Sequence, residues 1–138
     1  MKQFLCLLFC SALWVTAAVA QDAPYKVVFD LTSRDTLDQR AVMRWVKGIV
    51  ESNPKAEVEV VMYGKGFELV MPERSTFMAE VKEAMQHPNV SFKACEVALK
   101  HNKVEKSALL KDVQTVPDGI YEIIEKQHQG WGYIKVVH

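Results

Sequence analysis

The stretch that decides the fold is Tyr25-Lys26-Val27-Val28-Phe29-Asp30-Leu31, then Asp35 to Ser52, then Glu57-Val58-Glu59-Val60-Val61-Met62-Tyr63. The two outer runs are short and rich in β-branched and aromatic residues, the composition of strands. The middle run repeats apolar residues every fourth position, Leu37, Ala41, Trp45 and Ile49, and Val42, Val46 and Val50 broaden the stripe. That spacing predicts a helix. Arg40, Arg44 and Lys47 fall largely on its other face, and Asn53-Pro54 ends it. A helix between two short apolar strands is a crossover, the connection that joins parallel strands.

The alternation continues outward. Gly64-Lys65-Gly66 turns out of the second strand, and Phe67 to Met71 reads as a short extension or a loop. Pro72 to Gln86 suits a helix with Phe77, Val81, Ala84 and Met85 along one side. His87-Pro88-Asn89 stops it, and Val90 to Lys93 or Ala94 is a third strand. Cys95 to His101 turns helical, and a small helix follows over Glu105 to Leu110. Val113 to Val116 is a fourth strand. Pro117-Asp118 opens a helix with Ile120, Ile123 and Ile124 inward and Gly130 as its cap, and Trp131 to Val137 closes the chain as a fifth strand. The expected fold is α/β, a three-layer α/β/α arrangement around a mainly parallel five-stranded sheet. Working residues of such sheets lie just past the carboxyl ends of the strands. Here those positions are Thr32-Ser33, Gly64-Lys65-Gly66, Ala94-Cys95 and Pro117-Asp118.

The first 20 residues read differently. Lys2 gives a positive start, Phe4 to Val15 is apolar, and Ala18-Val19-Ala20 fits a small-x-small cleavage site. The expectation is an export signal over 1–20 and one α/β domain over 21–138, released outside the inner membrane and periplasmic in a Gram-negative cell. Phe9 before Cys10 is wrong for a lipoprotein site, so no membrane attachment is expected after processing.

Charge excludes other classes. Lys+Arg and Asp+Glu stand at 17 each, and loss of Lys2 leaves one excess acidic charge. With no basic block, neither nucleic-acid binding through phosphate neutralisation nor docking on an anionic membrane is expected. The histidines, His87, His101, His128 and His138, form no metal-ligand spacing, and neither a metal nor a cofactor is expected. Gly64-Lys65-Gly66 lacks the length of a phosphate-binding loop and reads as a tight turn. Asp30, Asp35 and Asp118 fall near the sheet edge, but Asp is also a common cap and turn residue.

Processing removes Cys6 and Cys10 and leaves Cys95 without a partner in its own chain. In an oxidising compartment an unpaired cysteine is a reactive thiol, an intermolecular bridge or a buried inert side chain. Cys95 stands where a strand hands over to a helix, a position that favours the thiolate. It also lies beside Ala94 and near Ala98, company that suits a small buried apolar residue. Lys93, Lys100 and His101 are close in sequence, but none is placed to act as its general base.

Four ordered segments resemble the DsrE/DsrF-like proteins, which include TusD-type sulfur-relay subunits and YchN-like proteins. They are Lys26 to Leu31, Glu59 to Leu69 with its glycine turn, Phe92-Lys93-Ala94-Cys95 ahead of a helix, and Val116-Pro117-Asp118-Gly119-Ile120 continuing through Gly130-Trp131-Gly132-Tyr133 to Lys135. The resemblance implies a small α/β domain that assembles into homo- or hetero-oligomers, often trimers or hexamers. It also implies that Cys95 carries sulfur as a persulfide between donor and acceptor proteins. Two departures stand out: Tyr63 replaces a His frequent in the family, and the relay members work in the cytoplasm. The function expected is an exported sulfur carrier or sulfurtransferase-like protein with Cys95 as its reactive residue. The alternative is a non-catalytic oligomeric binding module in which Cys95 is structural.

Overall fold

The computed structural model describes residues 24–137. The export signal expected over 1–20 lies outside the described residues. Five parallel strands form one sheet: β1 Lys26–Leu31, β2 Glu57–Met62, β3 Val90–Cys95, β4 Gln114–Val116 and β5 Gly132–Lys135, in the order β4-β3-β2-β1-β5. The helices between them are α1 Thr36–Ser52, α2 Met78–Ala84, α3 Glu96–His101 and α4 Gly119–His128. Four strands run outward in chain order, and the chain then returns through α4 to lay β5 on the free side of β1. The direction of winding therefore reverses between β1 and β5, the position where open α/β sheets form a crevice.

The two sheet faces differ in chemistry. One carries Val27, Phe29, Leu31, Val58, Val60, Met62, Phe92 and Ala94, and it buries against Val42, Met43, Val46, Val50 and Val81 from α1 and α2. Trp45 stacks on Phe29, with ring centroids 5.9 Å apart. The other face is covered by α4, which packs over β1, β2, β3 and β5. Its apolar cluster holds only Val28, Val61 and Ile123, with Tyr63 and Trp131 against it. Asp30 and Glu59 are buried in strands β1 and β2, and Lys93 faces Glu59 from β3. The three expected layers are present, and one outer layer is a single helix over a partly polar sheet face.

Boundaries and inward faces depart from the sequence reading in four places. Phe67 to Met71 is largely a 3-10 turn over Gly66–Val70. The helix expected from Pro72 begins at Met78, because 72–77 is spent on turns: Arg74 and Ser75 N–H donate to the Met71 carbonyl, and Phe77 N–H donates to Ser75 Oγ. Leu37 of α1 is exposed, and the buried stripe is rotated to Ala41, Val42, Met43, Val46 and Val50. Of the three α4 isoleucines only Ile123 points inward, while Ile120 and Ile124 are exposed. The glycine turn is as read: Gly64 has φ +58, and a Cβ on Gly66 would meet the Leu31 carbonyl oxygen at 2.0 Å.

Candidate functional site

Cys95 is the last residue of β3, paired with Val116 of β4. Its backbone is extended (φ −73, ψ 121) and it stands before the first residue of α3, with no side-chain capping bond. It is a free thiol, 4% exposed. What covers it is the start of α4. A Cβ on Gly119 would lie 3.1 Å from Cys95 Cβ, 3.2 Å from Val61 Cγ1 and 3.4 Å from Tyr63 Cβ. A Cβ at this position would press on all three, so glycine suits the close approach of the helix.

Asp118 fixes that helix end. Its Oδ1 accepts from the N–H groups of Ile120 at 2.8 Å and Tyr121 at 3.3 Å, an N-cap that satisfies two otherwise unpaired donors. Asp35 caps α1 in the same way, accepting from Leu37 N–H at 2.8 Å. Two of the three aspartates noted in the sequence are thus caps, and the third is the centre of a cluster.

Asp30 is 3% exposed at the carboxyl end of β1. Its Oδ2 accepts from the hydroxyls of Tyr133 at 2.7 Å and Tyr63 at 3.1 Å. Lys135 Nζ lies 3.1 and 3.2 Å from its two oxygens, and also donates to Thr32 Oγ1 at 3.3 Å. Register explains the meeting: Asp30 pairs with Lys135 across β1 and β5, and Tyr63 follows the last residue of β2, next to the end of β1. The cluster fills the crevice where the winding reverses. Burial, the Asp30 charge, the bond to it and the nearby Cys95 push the Tyr63 phenol up to about 12. The bond to Asp30 first, then burial and the Asp30 charge, take Tyr133 to about 12 as well. Both rings are therefore neutral donors across the physiological range. Tyr63 joins the two parts of the edge: its hydroxyl binds Asp30 while its Cβ stands with Cys95 at Gly119.

Of the loops expected to converge, Thr32, Tyr63 with its glycine turn, Cys95 and Asp118-Gly119 do meet at the carboxyl edge. Lys93 points away from Ala94, as the strand alternation requires, and is held by Glu59 at 2.9 Å and Glu122 at 2.7 Å. Sequence reading did not single out Asp30, Tyr63, Tyr133 and Lys135 as a unit. One acid inside the apolar run of β1 is the available signal, but its partners are 33 and more residues away. Among the described residues no group of three or more His, Cys, Asp or Glu is placed to hold a metal ion, and no helix is long and apolar enough to cross a membrane.

A small parallel α/β domain with one cysteine at the carboxyl edge of its sheet is thus the class that fold and site define. The DsrE/DsrF-like family model matches residues 26–136, and the chain belongs to that family. Among solved structures, a protein of unknown function from Methanobacterium thermoautotrophicum is 27% identical, with TM-score 0.74, over 80% of this chain and 98% of its own. A conserved protein of unknown function from Bacteroides thetaiotaomicron shares the fold at 14% identity and TM-score 0.67, over 80% of this chain and 94% of its own. None of the curated proteins compared matches the chain.

Proposed function

We propose that this protein is an exported sulfur carrier that holds a persulfide on Cys95, in keeping with the sulfur-relay role its family suggests. The observation that carries the reading is the placement of Cys95, the one cysteine among the described residues, at the carboxyl end of β3 where three of the converging loops meet. The Cys95 thiolate attacks the outer sulfur of a persulfide or polysulfide donor. The donor's S–S bond breaks and the donor leaves as a thiolate, so Cys95 bears the persulfide. An acceptor thiolate then takes the outer sulfur and releases the Cys95 thiolate. The two exchanges are redox-neutral and need no second cysteine. At 4% exposure the thiol reacts only when the first turn of α4 lifts from it, so Gly119 acts as its cover. Release of residues 21–138 from the leader would place the carrier outside the inner membrane. Exposed Ile120, Tyr121 and Ile124 on α4 and Tyr133 and Ile134 on β5 suit a homo-oligomer, a trimer or hexamer by family resemblance.

The burial of Cys95 favours a second reading, an oligomeric binding module in which the thiol is structural. One experiment separates them. The native protein is treated with polysulfide and its intact mass is read with and without prior alkylation. Gain of whole sulfur atoms, lost on alkylation and lost in Cys95→Ser, is the result expected of a carrier. No gain, with alkylation only after denaturation, leaves the binding module.

A further inference from the structure

The α4 face of the sheet carries a second polar centre, set further from the carboxyl ends of the strands. Glu59 and Tyr63 lie on this face four residues apart along β2, roughly 13 Å at the rise of a strand, so the centre is distinct from the Cys95 edge. Glu59 is 2% exposed. Its Oε2 receives Lys93 Nζ at 2.9 Å, Lys126 Nζ at 3.1 Å and the Ser91 hydroxyl at 3.3 Å. Its Oε1 is buried with no hydrogen-bond partner. A buried carboxylate oxygen without a donor is costly, and native structures rarely keep one without a reason. Glu59 lines a cavity of about 260 Å³ together with Ser91, Lys93, Lys126 and Trp131, with Asn89 and Gln114 also on its wall.

The surroundings restrict what would fit. Glu59 and Glu122 balance Lys93 and Lys126, and Glu57 on the cavity wall is paired with Lys26 at 2.8 Å, so a guest with net charge would leave a charge uncompensated. Oε1 calls for an N–H or O–H donor, and an ammonium gives the strongest bond. Each lysine carries three N–H donors. Lys93 has two carboxylate partners, which leaves one donor for an acceptor on the guest. Lys126 stands 4.4 Å from the centroid of the Trp131 ring, which provides an apolar wall beside the charges. We infer that this cavity binds a small zwitterion of the α-amino-acid type, its ammonium on Glu59 Oε1 and its carboxylate on Lys93.

The test is an NMR titration of the purified protein with glycine and L-serine, and with methylamine and acetate as the separate halves. The amino acids are expected to bind at least about tenfold more tightly than either half. Carbon-13-labelled serine should give contacts to the Trp131 ring, and Glu59→Gln should weaken binding by about tenfold or more. The Trp131 contacts locate the guest in the unaltered protein, whether or not that variant folds. Equal binding of acetate or methylamine overturns the inference, as does serine bound without Trp131 contacts. So does the absence of binding at millimolar concentration. Loss of sulfur loading at Cys95 would leave this site untouched, so the two readings fail separately.

Discussion

At the scale of the residue, Asp30 decides more than any other buried side chain at the carboxyl edge. A carboxylate that is 3% exposed needs partners, and Lys135 is the only cation bonded to it among the described residues. Lys135→Met leaves that charge with two phenol hydroxyls alone and should cost about 1–3 kcal/mol at neutral pH, read from denaturant unfolding. The tyrosines give an independent check. Burial first and then the Asp30 carboxylate disfavour the Tyr63 phenolate, and the bond to Asp30 first and then burial disfavour that of Tyr133, which pushes both up to about 12 from 10. The sign follows: the stability these rings contribute is complete below pH 10 and is lost as pH climbs from about 10 through about 12. Asp30→Asn removes the charge, and phenolate absorbance should then show both rings titrating closer to their ordinary value. Unchanged titration in that variant would mean that burial alone holds them neutral.

At the scale of the element, α4 does two things at once, and this is where the sequence was least legible. The spacing of Ile120, Ile123 and Ile124 predicts one inward stripe, yet only Ile123 of the three is buried. Apolar residues on two sides of a short helix do not say which side meets the sheet. The same ambiguity rotated the stripe of α1, where Val42, Val46 and Val50 outrank Leu37. Strand order along the chain, the crossover pattern, the glycine turn and the position of Cys95 at a strand end were legible, because each rests on local composition and spacing. The Asp30 and Glu59 clusters were not, because their members come from different strands and meet only through register. Gly119 gives the helix its own prediction. Alanine in a helix normally gains up to about 1 kcal/mol over glycine. Here its Cβ would press on Cys95, Val61 and Tyr63 at 3.1–3.4 Å. Gly119→Ala should therefore bring no gain in melting temperature. It should speed alkylation of Cys95 under native conditions by loosening the cover. Faster unfolding with no change in native alkylation would separate a packing fault from a gate.

At the scale of the whole molecule, the sheet ends in two edge strands, β4 and β5, and β5 is the more exposed of the two. β5 pairs only with β1, and all four of its residues are exposed. An edge strand with free N–H and C=O groups is a template for pairing unless it is covered or charged. Beside it α4 shows Ile120, Tyr121 and Ile124, and Tyr133 stands on the same face of the sheet, while Ile134 faces the α1 side with Tyr25 and Trp45. Exposed apolar residues grouped on one helix suit an interface. The same helix starts on Cys95 and ends near Trp131, so a subunit seated there would press on the thiol's cover. Ile124→Lys places a charge on that surface and alters no core residue. In light scattering the parent protein should have the mass of an oligomer and the variant that of a monomer. Native alkylation of Cys95 should be faster in the variant, because α4 is then held by its own subunit alone. A parent protein that is monomeric at working concentration would remove the interface, and an unchanged alkylation rate would sever it from the thiol.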